Sequence, residues 1–305
     1  MKAILYSLIA FAFGLFTGPL SANDPALTPT TDAIVNIWPN NPPAWTPPTQ
    51  AEGNTSNAKS RNVAGRPVIR IGNVAQPQLH VFHAKAELKS DTTIVVCPGG
   101  GYSILAWDLE GTEIAQRLQD IGVTAVVLKY RVPTGGEDER WKAPVQDIQR
   151  SISMIRAGAV QGVPNTRVGV LGFSAGGNAS ARAATASQRM YEAMDVNDQQ
   201  DFVPDFAVLV YPAWIVEKDN PSKLIDDIKV TDHTPPMFFA HARNDGITCL
   251  GSVTLFSELQ RRGINSALHI FGSGGHGFGS RRNDQETDAW PELLTLWMRD
   301  LEWIK

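Results

Sequence analysis

Chemistry is first legible in this sequence at a serine between two glycines, Gly172-Phe173-Ser174-Ala175-Gly176. The run 168–173 before it is apolar, and the stretch from Ala179 to Ser187 after it is rich in alanine. A strand, a tight turn and a helix are therefore expected in that order. Such a turn strains the backbone of its middle residue and lifts that side chain to the end of a sheet. Small residues two before and two after the serine keep the crossing backbones from colliding. The helix N-terminus beneath it favours a developing negative charge. Ser174 is the expected nucleophile.

A hydroxyl attacks well only when a base takes its proton. Of the six histidines, His80 and His269 lie inside apolar runs, and His83 follows one early in the chain. His233 precedes Pro235-Pro236, and His241 closes the run Met237–Ala242, where it would orient backbone. His276 differs, standing in Gly272-Ser273-Gly274-Gly275-His276-Gly277-Phe278-Gly279, a loop too poor in apolar residues to be core. It is the expected base. The base needs a carboxylate to fix its tautomer and stabilise the imidazolium. Asp245, in the polar turn Arg243-Asn244-Asp245-Gly246 directly after a strand, fills that role, with Asp232 as runner-up before the same strand. The chain order Ser174, Asp245, His276 suits an α/β-hydrolase sheet.

An acyl-transfer oxyanion also needs preformed N–H donors. Cys97-Pro98-Gly99-Gly100-Gly101-Tyr102 follows the apolar run 93–97, where such a loop belongs. Gly100, Gly101 and the residue after the nucleophile, Ala175, are the expected donors. Gly272-x-Gly274-x-x-Gly277 matches a dinucleotide-binding pattern, but it lies near the C-terminus and lacks the βαβ unit that pattern requires. No His-Glu-x-x-His, cysteine pair or Gly-Lys-Ser/Thr loop is present, so neither metal nor cofactor is expected.

The elements that must carry these residues follow from periodicity. Short β-branched runs fall at 68–71, 79–82, 93–97, 123–129, 168–173, 206–211, Met237–Ala242 and Ala267–Phe271. Several are continuously apolar, as strands buried on both faces of a parallel sheet are. Between them, Val145, Ile148, Ile152 and Ile155 share one helical face, and 250–262 and 286–303 also read as helices. The alternation predicts a mostly parallel, doubly wound α/β sheet of about eight strands flanked by helices.

The composition agrees with a single catalytic domain. The chain has 305 residues, 43% hydrophobic and 19% charged, which excludes a disordered chain or a coiled coil. Lys and Arg number 27 against 31 Asp and Glu, for a net charge of −4 with no basic block, so nucleic acid is not an expected partner. Cys97 and Cys249 cannot build a disulfide framework. Lys2, the apolar run 4–16, Gly18-Pro19 and the small Ser21-Ala22 read as a signal peptide over 1–22, too short to span a bilayer. The mature protein is thus expected to be secreted or periplasmic and free of the membrane. Residues 23–66 are rich in Pro, Thr and Asn and read as an extended arm, with Trp38 and Trp45 as anchors, over a catalytic domain spanning 67–305.

Several runs taken together resemble the secreted α/β-hydrolase esterases grouped with acetyl xylan and feruloyl esterases, some bacterial members of which are labelled xylanases. They are Ile37-Trp38-Pro39, Val95-Val96-Cys97-Pro98-Gly99-Gly100-Gly101-Tyr102, Leu128-Lys129-Tyr130-Arg131-Val132-Pro133, residues 169–177, Thr234-Pro235-Pro236 and Gly274-Gly275-His276-Gly277. The resemblance implies a serine esterase that removes acyl groups from plant or algal polysaccharides. It carries over Ser174, Asp245 and His276, with Gly101 and Ala175 near the oxyanion. Where the group often has Asp-His-Glu-Gly, this chain has Asp108-Leu109-Glu110-Gly111. The alternatives are a peptidase or lipase-like hydrolase on the same fold and a catalytically silent carbohydrate-binding homologue. Neither a gating domain nor a long apolar lid is evident for the first.

Overall fold

The computed structural model of the protein describes residues 30–305, so the expected signal peptide lies outside the described residues. Eleven strands and five α-helices follow one another: β1 (Ala33–Asn36), β2 (Gly53–Asn54), β3 (Arg70–Gly72), β4 (Gln78–Phe82), β5 (Thr92–Cys97), β6 (Leu105–Ala106), α1 (Glu113–Asp120), β7 (Thr124–Lys129), α2 (Lys142–Arg156), β8 (Arg167–Phe173), α3 (Ser174–Ala184), β9 (Ala207–Val210), β10 (Met237–Ala242), α4 (Leu250–Arg261), β11 (Ala267–Phe271) and α5 (Trp290–Asp300). Eight of the strands form one sheet in the order β1-β4-β7-β5-β8-β9-β10-β11. From β7 to β11 every pairing is parallel, and β4 is antiparallel to both of its neighbours.

The continuous apolar runs become the sheet's centre because helices cover both of its faces. Every residue of β5, β7, β9 and β10 is buried. On one face the sheet packs against α2, α3 and α4, through residues such as Ile148, Ala179 and Leu255. On the other it packs against α1 and α5, through Leu118, Leu294 and Met298. Parallel strands joined by crossovers put all their C-terminal ends on one edge, and the loops after β5, β8, β10 and β11 emerge there.

The sheet has the expected size, but one of its strands comes from elsewhere. The run 68–71 was expected in it; Arg70–Gly72 instead pairs with Gly53–Asn54 and Leu105–Ala106 in a separate small sheet. The eighth strand is β1, from inside the Pro-rich stretch, whose Ala33–Asn36 segment holds no proline and pairs with the free edge of β4. Helix α3 begins at Ser174 itself, five residues before the alanine-rich stretch, and α5 is shorter than the run 286–303.

Residues 30–66 are bound closely to the rest. Trp38 is buried and donates its indole N–H to Asp147 Oδ1 at 2.8 Å. Asp147 also takes the fully buried Arg131 guanidinium, which donates to the Pro43 carbonyl at 2.9 Å. The Ile37-Trp38-Pro39 and Lys129-Tyr130-Arg131 runs are therefore parts of one buried contact. Trp45 is half-buried and donates to the Ala75 carbonyl at 3.2 Å. Arg281 ties the C-terminal region to this stretch by a bond to the Arg66 carbonyl at 3.2 Å, and is itself held by ion pairs to Asp108 at 2.9 Å and Glu113 at 2.8 Å.

His80, on β4, packs edge-on to Trp107 with ring centroids 4.8 Å apart, and its Nε2 is buried without a partner. Burial, and then the neighbouring Lys129, lower its pKa to about 4. The unfolded chain, with an ordinary histidine near 6.5, then binds more protons than the folded one between these values. The stability His80 contributes is complete above pH 6.5 and is lost as pH falls toward 4. Urea midpoints are expected to decline across that window, and His80→Phe, which removes the titrating ring, to flatten the decline. An equally steep decline in the variant would remove His80 as its source.

Candidate active site

The turn from β8 into α3 sets the site's geometry. Ser174 has φ +51° and is 7% exposed. Only glycine fits two positions before it and two after it. A Cβ on Gly172 would lie 2.4 Å from the Gly176 carbonyl oxygen, and one on Gly176 would lie 2.2 Å from that of Cys97. The serine is thus held in a left-handed conformation by the close approach of β8, α3 and the loop after β5.

Ser174, His276 and Asp245 meet at the C-terminal edge of the sheet. Ser174 Oγ lies 2.9 Å from His276 Nε2, and His276 Nδ1 lies 2.7 Å from Asp245 Oδ2. Facing a carboxylate, Nδ1 carries the proton, which leaves Nε2 to accept from the serine hydroxyl. The Asp245 side chain is fully buried, and its Oδ1 accepts the Ile247 amide at 2.6 Å. Burial alone would raise its pKa, but the bonds from His241, His276 and Ile247 outweigh burial and hold the carboxyl well below the usual carboxylate range. Asp232 is elsewhere: it precedes β10, is 85% exposed, and pairs with Arg262 at 2.9 Å.

The loop after β5 lies against the serine. A Cβ on Gly99 would come within 2.8 Å of Ser174 Cβ. Gly100 takes φ +137°, where a Cβ would lie 2.1 Å from the Ile104 carbonyl oxygen, so that backbone turn is open to glycine alone. Among the described residues neither the Gly100 nor the Gly101 amide donates to a protein acceptor. Ala175, the second residue of α3, is fully buried beside Ser174. Chemically, such an arrangement can deprotonate a hydroxyl and offer amides to an oxyanion.

Two buried residues do more at the site than the sequence reading gave them. His241 was expected to orient backbone, and its Nε2 does face the Ile247 carbonyl at 3.2 Å, but it is shared with Asp245 Oδ2 at 3.3 Å. Facing two acceptors, Nε2 carries the proton, and Nδ1 accepts from Ser252 Oγ at 3.0 Å. His241 therefore braces the carboxylate. Its spacing, four before Asp245, was the available signal. Glu110, 4% exposed, takes the Gly99 amide and the Tyr211 hydroxyl. No local pattern pointed to it beyond the run Asp108-Leu109-Glu110-Gly111. Among the described residues no cluster of His, Cys, Asp and Glu could hold a metal ion, and both cysteines are free. No helix among them is long and apolar enough to cross a membrane.

Comparison with known proteins agrees with this architecture. The prolyl oligopeptidase family matches residues 139–294. An acetylxylan esterase from Xylanibacter ruminicola is 30% identical over 239 residues, covering 70% of this chain and 47% of that protein. A protein named endo-1,4-beta-xylanase B, from Butyrivibrio fibrisolvens, is 25% identical over 237 residues, covering 70% of this chain and 36% of its own length. The chain thus spans about half or less of the curated relatives it matches. Among solved structures, an acetyl ester-xyloside bifunctional hydrolase from Caldicellulosiruptor lactoaceticus superposes with a TM-score of 0.69 at 23% identity, over 92% of this chain and all of that one. At that identity the likeness concerns the fold, which is that of the α/β hydrolases.

Proposed function

The chain belongs to the prolyl oligopeptidase family, and on that premise we propose that it is a serine carboxylesterase working through an acyl-enzyme. One observation carries the reading: the continuous hydrogen-bonded line from Ser174 Oγ to His276 at 2.9 Å and on to Asp245 at 2.7 Å. His276 Nε2 takes the serine proton as Oγ bonds to the ester carbonyl carbon. The carbonyl oxygen, now an anion, is stabilised by the amides of Gly100, Gly101 and Ala175. Collapse breaks the ester C–O bond, and the leaving alkoxide takes the proton back from His276. Water, deprotonated by the same imidazole, then releases the acid and restores Ser174.

The substrate we propose is an acylated plant or algal polysaccharide, acetylated xylan foremost, met outside the cytoplasm after removal of residues 1–22. The names of the relatives support the acetyl group and the xylan. Trp214 supports a sugar. It is 39% exposed, at φ +52°, with the Arg140 guanidinium 4.0 Å from its ring centroid. The Ala213 amide before it donates to the Ser174 carbonyl at 3.0 Å, and Asn178 of α3 donates to the Trp214 carbonyl at 3.0 Å. An exposed indole fixed on the rim is suited to stack on a pyranose ring.

Purified enzyme should release acetate from p-nitrophenyl acetate and from acetylated xylan, and should leave a proline p-nitroanilide peptide intact. Faster cleavage of the amide would replace the esterase with a peptidase. No turnover of any ester would leave a silent homologue. Trp214→Ala is expected to raise KM for acetylated xylo-oligosaccharides about tenfold, the loss of roughly 1.4 kcal/mol of stacking, and to affect p-nitrophenyl acetate far less. Equal effects on the two substrates would remove the sugar platform.

A further inference from the structure

Glu110 is a buried ionisable group for which the proton transfers of the triad have no use. It lies in the π-helical turn Asp108–Thr112 before α1, is 4% exposed, and has no cation within ion-pair distance among the described residues. Burying a lone carboxylate is costly. Burial raises its pKa, against the bonds from Tyr211 and Gly99 and the nearby His276. Both of its oxygens are occupied as acceptors. Oε2 takes the Gly99 amide at 2.7 Å and Oε1 takes the Tyr211 hydroxyl at 2.9 Å, a set of partners that the ionised form fits.

These two bonds reach both halves of the site. Gly99 is the root of the Gly100-Gly101 turn and abuts Ser174. Tyr211, fully buried at the end of β9, accepts the Gly279 amide on its hydroxyl at 3.0 Å. Its ring meets those of His276 and Phe278 edge-on, with centroids 5.0 and 4.4 Å away. A single carboxylate therefore fixes the loop that offers the amides and, through one phenol, the loop that carries the base.

We propose that Glu110 is a positioning residue of the reaction, pinning the oxyanion loop and the histidine loop to each other. This rests on the serine-esterase reading above. The charged and titratable groups around His276 are Asp245 from the turn after β10, Tyr211 from β9, Glu110 from the turn before α1, and Arg61, which donates to the His276 carbonyl at 3.1 Å. Asp245 and Glu110 are the anions of that set, and Glu110 acts without touching the ring.

Glu110→Gln keeps the shape and one acceptor but turns an amide N–H₂ toward one of the two donors. With p-nitrophenyl acetate, kcat is expected to fall about 10- to 100-fold, the scale of a small misplacement of reacting groups, with KM within about threefold. Tyr211→Phe should also lower kcat at nearly unchanged KM, and the double variant should be scarcely slower than Glu110→Gln. A Glu110→Gln enzyme that melts earlier but keeps wild-type kcat and KM would make Glu110 structural only and overturn the proposal. A wild type that turns over no ester would overturn the esterase reading itself, a result distinct from wild-type kcat in the variants. Should Glu110→Gln not fold, Tyr211→Phe decides, and wild-type kcat there overturns the proposal.

Discussion

Ser174→Ala and His276→Ala are each expected to lower kcat on p-nitrophenyl acetate by ~10³-fold or more, with circular dichroism and melting temperature close to wild type. The size follows from the geometry. Without Oγ there is nothing to acylate, and without the imidazole the proton on Oγ has no acceptor, because His276 Nε2 at 2.9 Å is its hydrogen-bond partner. The two residues act on one proton in one step, so their losses should not add, and the double variant should be scarcely slower than either single one. The fold should survive because the elbow is held by backbone approach around Gly172 and Gly176, not by the serine side chain. Residual hydrolysis would come from the amides of the oxyanion loop. Near-full activity in either single variant would discard the assignment.

What could be read from the sequence was whatever is decided over a few residues. The elbow is local: a strand, one strained residue and a helix start occupy adjacent positions, and the first glycine lies where a Cβ would strike the backbone of the second. Strands β5, β7 and β10 declared themselves because burial on both faces makes most positions apolar. β1 did not. It has four residues, its burial alternates, and its partner β4 comes only after two strands of the small sheet. Proline around such a segment argues against a strand unless the segment itself is free of it, as Ala33–Asn36 is. Glu110 marks the limit at the site. It is tied to the site by a bond to a residue 101 positions away, and apart from the Asp108-Leu109-Glu110-Gly111 run nothing near it distinguishes it from a solvated carboxylate. His241 was visible and does serve the backbone, through the Ile247 carbonyl, but the carboxylate it also braces, four positions on, was not read from the spacing.

Asp245→Asn is expected to lower kcat by as much as ~10⁴-fold with little change in KM, the loss seen when the acid of a serine-protease triad is made an amide. The Asp245 side chain is fully buried and accepts from His276 at 2.7 Å, from the Ile247 amide at 2.6 Å and from His241 at 3.3 Å. An asparagine kept in register by the Ile247 amide would turn its N–H₂ toward His276 Nδ1. Two donors cannot face each other, so the imidazole would move its proton to Nε2, where it blocks acceptance from Ser174. The carboxyl is held well below the ordinary range, chiefly by its hydrogen bonds against the cost of burial, so its charge persists through mildly acidic pH. Because its folded pKa is depressed, the stability it contributes is complete above the unfolded value and is lost only as pH falls through the folded one. Asp232→Asn should keep most of the activity. That side chain is 85% exposed, and its ion pair with Arg262 at 2.9 Å, a surface contact worth about 0–1 kcal/mol, lies before β10 rather than after it. Steady-state kcat and KM on p-nitrophenyl acetate for the two variants separate the cases. An active Asp245→Asn beside a dead Asp232→Asn would move the acid to the other end of the strand and leave Ser174 and His276 to be explained by a rearranged loop.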